Sequence, residues 1–237
     1  MLHPMISSGL PLARGLALIF DLDGVVVDTM PLHTLAWLRY LERLGISRKD
    51  VATHMHGRRN EEIVREFLGP DVPNEVVLEH GAAKERLFRE MMGADLVRSL
   101  VPGVANFLAR ANSRASGGVP VALATNAEPA NVAFALDGTN LRRWFRAIVD
   151  GSQVRNAKPA PDIYLTAGAR LDVAPRNCIV FEDSPPGIDA ARAAGMRVVG
   201  ILTHAPSQKQ ILEHVDLAVR NFLDPELEKW LGLQLAR

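Results

Sequence analysis

The sequence predicts an α/β fold, a parallel-sheet core carrying an inserted all-helical segment, and three observations lead there. Short, almost continuously apolar runs rich in β-branched residues recur along the chain: LALIF (16–20), VPVALAT (119–125), RAIVD (146–150), NCIVFED (177–183), MRVVGIL (196–202) and, more weakly, VDLAV (215–219). They lack the alternation of a half-exposed strand, as befits strands covered on both faces. Helical stretches separate them, and strand–helix alternation means a doubly wound core. From about Pro31 to Leu100, helical periodicity runs without a convincing strand.

The opening stretch MLHPMISSGLPLARG is broken by Pro4, Gly9 and Pro11, so it reads as a loose leader rather than a signal peptide. After the first strand, PLHTLAWLRYLERLG places Leu35, Leu38, Leu41 and Leu44 along one expected stripe, and NEEIVREFLG and NEVVLEHGAAKERLFREMMG continue the helical pattern. Roughly 70 residues is unusually long for a crossover between neighbouring strands. The expected division is therefore a core of residues 1–30 and 101–237 with a helical insert over 31–100, to which VPGV (101–104) forms the return. Further helices are expected over 103–115, 128–137, 161–171 and 184–195; the last has a capping serine, a first-turn proline and a closing glycine. SRASGG (113–118) reads as an exposed loop. Trp144 and the final FLDPELEKWLGLQL could pack internally or at an interface.

Bulk properties narrow the function. The chain has 237 residues, 48% of them hydrophobic and 23% charged, with zero formal net charge. No global field favours nucleic acid or an anionic membrane. No apolar run is long enough to span a bilayer. With one cysteine, Cys178 in CIVF, no intrachain disulfide can form, and the thiol reads as a small buried hydrophobe. The expected location is the cytoplasm. Neither nucleic acid nor membrane is an expected partner, and the chain is expected to be a monomer or small homo-oligomer.

The chemistry lies at the strand ends. LALIF ends in Asp21 and Asp23, VALAT in Thr125 and Asn126, and CIVF in Glu182 and Asp183. Ligands bind beyond the carboxyl ends of strands in an open α/β sheet, so these groups converge on one site. Asp21 and Asp23, two residues apart in extended chain, point the same way. Clustered carboxylates repel unless a cation joins them, and an all-oxygen set favours Mg²⁺. Lys158, in NAKPAPDIY, can neutralise a carboxylate or a phosphoryl oxygen. The parts suit phosphoryl transfer: Asp21 attacks phosphorus, and Asp23 moves protons to the leaving group and from water.

DLDGVVVDT, ALATN, KPAPDIY and VFEDSPPGIDAA, in that order, resemble the four motifs of the haloacid dehalogenase superfamily. With the helical insert after the first motif, the chain is similar to the β-phosphoglucomutase-like phosphatase group. The resemblance implies a Rossmann-like core whose helical cap closes over the site. It implies Mg²⁺ held by the side chains of Asp21 and Asp183 and the main-chain carbonyl of Asp23, with Glu182 in support. Thr125 and Asn126 would hold the transferring phosphoryl group. The acid-base aspartate Asp23 separates the chain from dehalogenases and phosphonate-cleaving relatives. His33 matches a cap histidine that couples closure to Asp23. HMHGRRNEEI (54–63) matches the substrate-specificity loop, where mutases resemble K-G-x-x-R. Here Gly57 is kept, His56 and Asn60 replace the two cations, and Arg58 and Arg59 are expected to meet substrate. The resemblance thus implies a sugar-phosphate phosphatase whose partner is a small phosphorylated metabolite, with a sugar phosphomutase as the alternative. A signalling receiver domain shares the acidic cluster, threonine and Lys-Pro, but has neither the second aspartate nor a cap.

Overall fold

A computed structural model describes residues 15–47, 58–113, 118–203 and 208–235. Leader residues 1–14, most of the SRASGG loop and the stretch 48–57, which includes His56 and Gly57, lie outside the described residues.

Six parallel strands form one sheet among the described residues: β1 (Ala17–Phe20), β2 (Val121–Ala124), β3 (Ala147–Val149), β4 (Cys178–Glu182), β5 (Arg197–Ile201) and β6 (Leu217–Val219), in the order β3-β2-β1-β4-β5-β6. Every apolar run read as a strand is one. Alternate residues serve opposite faces: Leu18 and Phe20 of β1 enter one apolar cluster, Ala17 and Ile19 the other. Both faces are covered. Helices α4 (Val104–Ala111), α5 (Pro129–Gly138) and α9 (Pro225–Leu235) pack on the Phe20 side, and α6 (Asp162–Leu171), α7 (Pro185–Ala193) and α8 (Gln208–His214) on the Ile19 side. Phe20 stacks on Phe181 with ring centroids 4.5 Å apart, and Phe107, Phe145 and Phe222 pack around it. Each such ring contributes roughly 1.5–3 kcal/mol through burial. This cluster fixes the ends of β1 and β4, one residue before Asp21 and Glu182.

β1 is central, with β2 on one side and β4 on the other. The chain moves outward through β2 and β3, then returns past β1 to β4. That reversal opens a crevice beyond the carboxyl ends of β1 and β4.

Helices α1 (Met30–Arg43), α2 (Asn60–Leu68) and α3 (Asn74–Met92) occupy the inserted segment, and no strand appears there among the described residues. The excursion begins and ends side by side: Asp28 N donates to Ser99 O at 2.7 Å and Val101 N to Val26 O at 3.1 Å. Met30, Trp37, Leu41, Ile63, Val64 and Val77 form a third apolar cluster, apart from the two on the sheet.

The leucine stripe expected on α1 is corrected. Leu41 is buried, but Leu35, Leu38 and Leu44 are 38–40% exposed. Steps of three residues each retreat about 60° around a helix of 3.6 residues per turn, so four leucines so spaced cannot share a face. The buried face is Met30, His33, Trp37 and Leu41, whose mixed three- and four-residue steps follow the helix. Trp144 and Trp230, both partly buried, pack against the sheet cluster. Cys178 is buried as expected, with desolvation pushing its thiol up to about 11. No helix among the described residues is long and apolar enough to cross a membrane.

Candidate active site

Asp21 follows directly on β1, and its N–H donates to Phe181 O at 3.1 Å, so the sheet pairing positions its side chain. One Asp21 carboxylate oxygen, Oδ1, accepts from Lys158 Nζ at 2.7 Å; the same ammonium donates to Glu182 Oε1 at 2.6 Å. Burial dominates at Asp21, and the neighbouring carboxylates Glu182, Asp23 and Asp183 add to it. Lys158 opposes them incompletely, and the carboxyl is pushed up to about 8. Lys158 is raised as well: burial works against its charge, but Asp21 and Glu182 outweigh it, raise its proton affinity and keep it an ammonium.

Glu182 is fully buried. Besides Lys158, its Oε1 accepts from Tyr164 OH at 2.7 Å. Its Oε2 accepts from Asp183 N at 2.9 Å, and from Ser184 N and Ser184 Oγ at 3.0 Å each. Burial alone would raise this carboxyl; Lys158 and these donors outweigh it and hold it below the ordinary range. Ser184 caps α7 by accepting from Gly187 N at 3.2 Å, as its position before two prolines predicts. Glycines make the room. A Cβ at Gly187 would lie 1.8 Å from Glu182 Oε1, and one at Gly24, where φ is +78°, 1.9 Å from Asp183 Oδ2.

Asp23 meets a different environment. Its Oδ1 accepts from Thr29 Oγ1 at 2.6 Å and lies 3.6 Å from His33 Nε2. Burial would raise it, but the nearby His33 ring and the Thr29 hydroxyl hold it below the ordinary value. The two aspartates are thus pushed apart, Asp21 upward and Asp23 downward. Such divergence is what separates roles between paired carboxylates.

Oxygens of Asp21, Glu182 and Asp183 lie within 4.8 Å of one another, all three residues buried. Hard oxygen donors, an upward-driven Asp21 and the space above Gly24 filled by the Asp183 carboxylate all fit a divalent cation. A buried acidic group able to hold a metal is therefore present.

A family model of haloacid dehalogenase-like hydrolases matches residues 16–195. The chain belongs to that family. It is 33% identical to the β-phosphoglucomutase of Bacillus subtilis (strain 168) over 218 residues, covering 90% of this chain and 92% of the relative. It is 33% identical to a phosphorylated carbohydrates phosphatase of Thermotoga maritima over 201 residues, covering 83% and 90%. The crystal structure of β-phosphoglucomutase from Clostridium difficile superimposes with a TM-score of 0.80 at 25% identity, covering 93% of this chain and 99% of that one.

Within this haloacid dehalogenase-like fold, Asp21, Asp23, His33, Thr125, Asn126, Lys158 and Asp183 all line one cavity of about 80 Å³. Thr125 leaves β2, its N–H donating to Val149 O at 3.0 Å, and its Oγ1 accepts from Ala127 N at 3.2 Å. Asn126 Oδ1 accepts from Lys158 N at 3.4 Å. Arg58 and Arg59 also reach the cavity, yet both are engaged by protein. Arg58 donates to Glu62 at 3.2 Å and Glu66 at 2.5 Å; Arg59 donates to the carbonyls of Gly151 at 2.7 Å and Val154 at 3.3 Å.

Sequence reading missed a buried group behind His33. Lys84 Nζ lies 3.2 Å from His33 Nδ1 and donates to Glu85 Oε1 at 2.5 Å; Asn60 and Asn131 donate to the same carboxylate at 2.7 Å each. His33 stacks on Phe88 with centroids 3.7 Å apart. Adjacent Lys-Glu in a helix reads as a solvated pair, and only the four-residue spacing from Lys84 to the buried Phe88 hints otherwise. Tyr164, six residues after Lys158, was likewise read only as part of a helix.

Proposed function

We propose that the chain is a Mg²⁺-dependent phosphomonoester hydrolase acting on a small, sugar-like phosphate. The observation that carries this is the pairing of a buried, cation-seeking Asp21 at the end of β1 with Asp23, held ionised two residues away. Asp21 and Asp183 would hold the ion with the main-chain carbonyl of Asp23. Glu182, its oxygens engaged by five donors, would keep Lys158 and the 183–184 turn in place. The ion supplies positive charge that lets an anionic nucleophile approach an anionic ester.

Asp23, ionised in the free protein, takes up the proton that a monoanionic ester brings into the site; an Asp21 oxygen then attacks phosphorus, the ester P–O bond breaks, and the leaving oxygen takes that proton from Asp23. Water then gives a proton to Asp23 and adds to the phosphorus of the aspartyl phosphate, releasing phosphate and restoring Asp21. Lys158 balances charge on the phosphoryl oxygens, and Thr125 and Asn126 hold them. Residues 31–100 act as a cap; the hydrogen-bonded segments at Val26–Asp28 and Ser99–Val101 give them one common pivot. His33 joins cap to chemistry through Asp23.

The phosphatase name of the Thermotoga maritima relative supports hydrolysis, as does the protein-bound state of Arg58 and Arg59. Phosphorus NMR with Mg²⁺ and a panel of sugar phosphates, with and without a trace of sugar bisphosphate, tests it. Free phosphate appearing without the bisphosphate is the expected result. A sugar phosphate shifting position only in its presence would make the protein a mutase.

A further inference from the structure

Arg59 is the last residue before α2, in extended backbone, and its side chain reaches from the inserted segment to the core. Its Nη2 donates to two carbonyls, Gly151 O at 2.7 Å and Val154 O at 3.3 Å, across 92 and 95 positions of chain. Among the described residues no carboxylate pairs with it, and its Nε is buried without an acceptor. A half-buried guanidinium that lacks a counter-charge costs stability. Cohesion of the fold therefore does not account for this contact.

The segment that Arg59 grips is a braced turn after β3. The buried Asp150 carboxylate accepts from Ser152 N at 2.9 Å, and from Ser152 Oγ and Gln153 Nε2 at 2.5 Å each. Gly151 joins this turn to the one after β2. Its N–H donates to Ala127 O at 3.1 Å, and a Cβ on it would lie 2.5 Å from Asn126 O. Ala127 N donates in turn to Thr125 Oγ1 at 3.2 Å, fixing the directions in which that hydroxyl can donate. The path from Arg59 to the Thr125 hydroxyl is thus three hydrogen bonds long. The next residue leads the other way: Asn60 Nδ2 donates to Glu85 Oε1 at 2.7 Å, Lys84 beside it lies 3.2 Å from His33 Nδ1, and His33 Nε2 is 3.6 Å from Asp23. Two successive residues at the start of α2 therefore reach the Thr125–Ala127 turn and the acid-base aspartate.

We infer that Arg59 is a positioning residue: it does not touch substrate but fastens the inserted helices to the 151–154 turn, and through that turn holds Thr125 and Asn126 where the phosphoryl group meets Asp21. This rests on the phosphomonoesterase reading above. A misplacement of about 1 Å is enough to cost ~10²-fold in rate, so releasing the turn slows transfer without any loss of substrate contacts.

The test measures kcat and KM, with Mg²⁺, for acetyl phosphate and a hexitol monophosphate in Arg59→Ala and Arg59→Lys. The two compounds share the phosphoryl group, and acetyl phosphate has almost nothing else to meet the inserted helices. Arg59→Ala should lower kcat/KM by about 10- to 100-fold, by the same factor for both compounds and through kcat more than KM. Guanidinium ion at millimolar concentration, donating to the same carbonyls from the vacated space, should restore much of the loss; sodium at equal concentration should not. Arg59→Lys keeps the charge and the stem without the planar fork, and its activity should lie between alanine and parent. A loss confined to the hexitol ester would make Arg59 a substrate contact and overturn the assignment. So would unchanged kinetics in both variants, or a loss that guanidinium does not relieve. Absence of hydrolysis of both compounds by the unaltered protein would instead overturn the phosphomonoesterase reading itself.

Discussion

Asp21 carries an energetic conflict that Lys158 alone does not resolve. A carboxyl raised to about 8 in the fold but ordinary when unfolded binds protons more tightly in the native state. It therefore opposes stability once pH rises above its unfolded value near 4, and the penalty is complete above about 8. Asp21→Asn removes that charge with little change in shape. In metal-free buffer at pH 8 the variant should melt at or above the temperature of the parent, while turnover falls by ~10³-fold or more. Calorimetry beside a phosphate-release assay checks both halves, and normal turnover would remove Asp21 as nucleophile. Asp23 presents the opposite case. Thr29 Oγ1, 2.6 Å away, stabilises its ionised form. Thr29→Val should raise its proton affinity and, because Asp23 gives a proton in the first step, move the basic limb of the kcat/KM profile to higher pH. An unmoved limb would show that the ionisation of another group sets it.

At the scale of elements, the core was legible because its signals are local. Continuous apolar runs ending in carboxylates or Thr-Asn gave both the strands and the site they deliver, and Ser-Pro-Pro before α7 gave its cap. What was not legible depends on rotation and on long-range partners. The leucines of α1 look like a stripe in one dimension and scatter around the helix in three. Arg58 and Arg59 have a specificity loop's composition, but Glu66 and the 151–154 carbonyls, the latter more than ninety positions away, take up their donors. Gly187 shows how tightly strand end and helix start are joined. It lies in the first turn of α7, where alanine is the better helix former by about 1 kcal/mol, yet its Cβ would meet Glu182 Oε1 at 1.8 Å. Gly187→Ala should therefore lower stability measurably in a urea titration, against the propensity scale, and reduce activity by displacing the carboxylate that holds Lys158. A stabilised, fully active variant would show that the Glu182 cluster yields without consequence.

Across the whole molecule, one buried carboxylate joins the inserted helices to the core. Glu85 on α3 accepts from Asn60 on α2 and from Asn131 on α5, with His33 Nδ1 of α1 3.8 Å away. Burial would raise its carboxyl, but Lys84 and His33, with hydrogen bonds from Lys84 and Asn131, push it down to about 2. The depressed value fixes the sign. The stabilisation is complete above the ordinary carboxyl range near 4.5 and is lost as pH falls towards 2, amounting to about 3 kcal/mol in all. Protonation there breaks contacts on both sides of the junction, so acid should free the inserted helices from α5 before the sheet unfolds. Glu85→Gln should be destabilised at pH 7, because Lys84 would be left buried without its counter-charge. Its stability should also fall less steeply than the parent's between pH 4.5 and 2, since the other titrating carboxylates are common to both. Urea titrations of the two proteins across that range measure the difference, and parallel profiles would mean that Glu85 is not the acid-sensitive tie between insert and core.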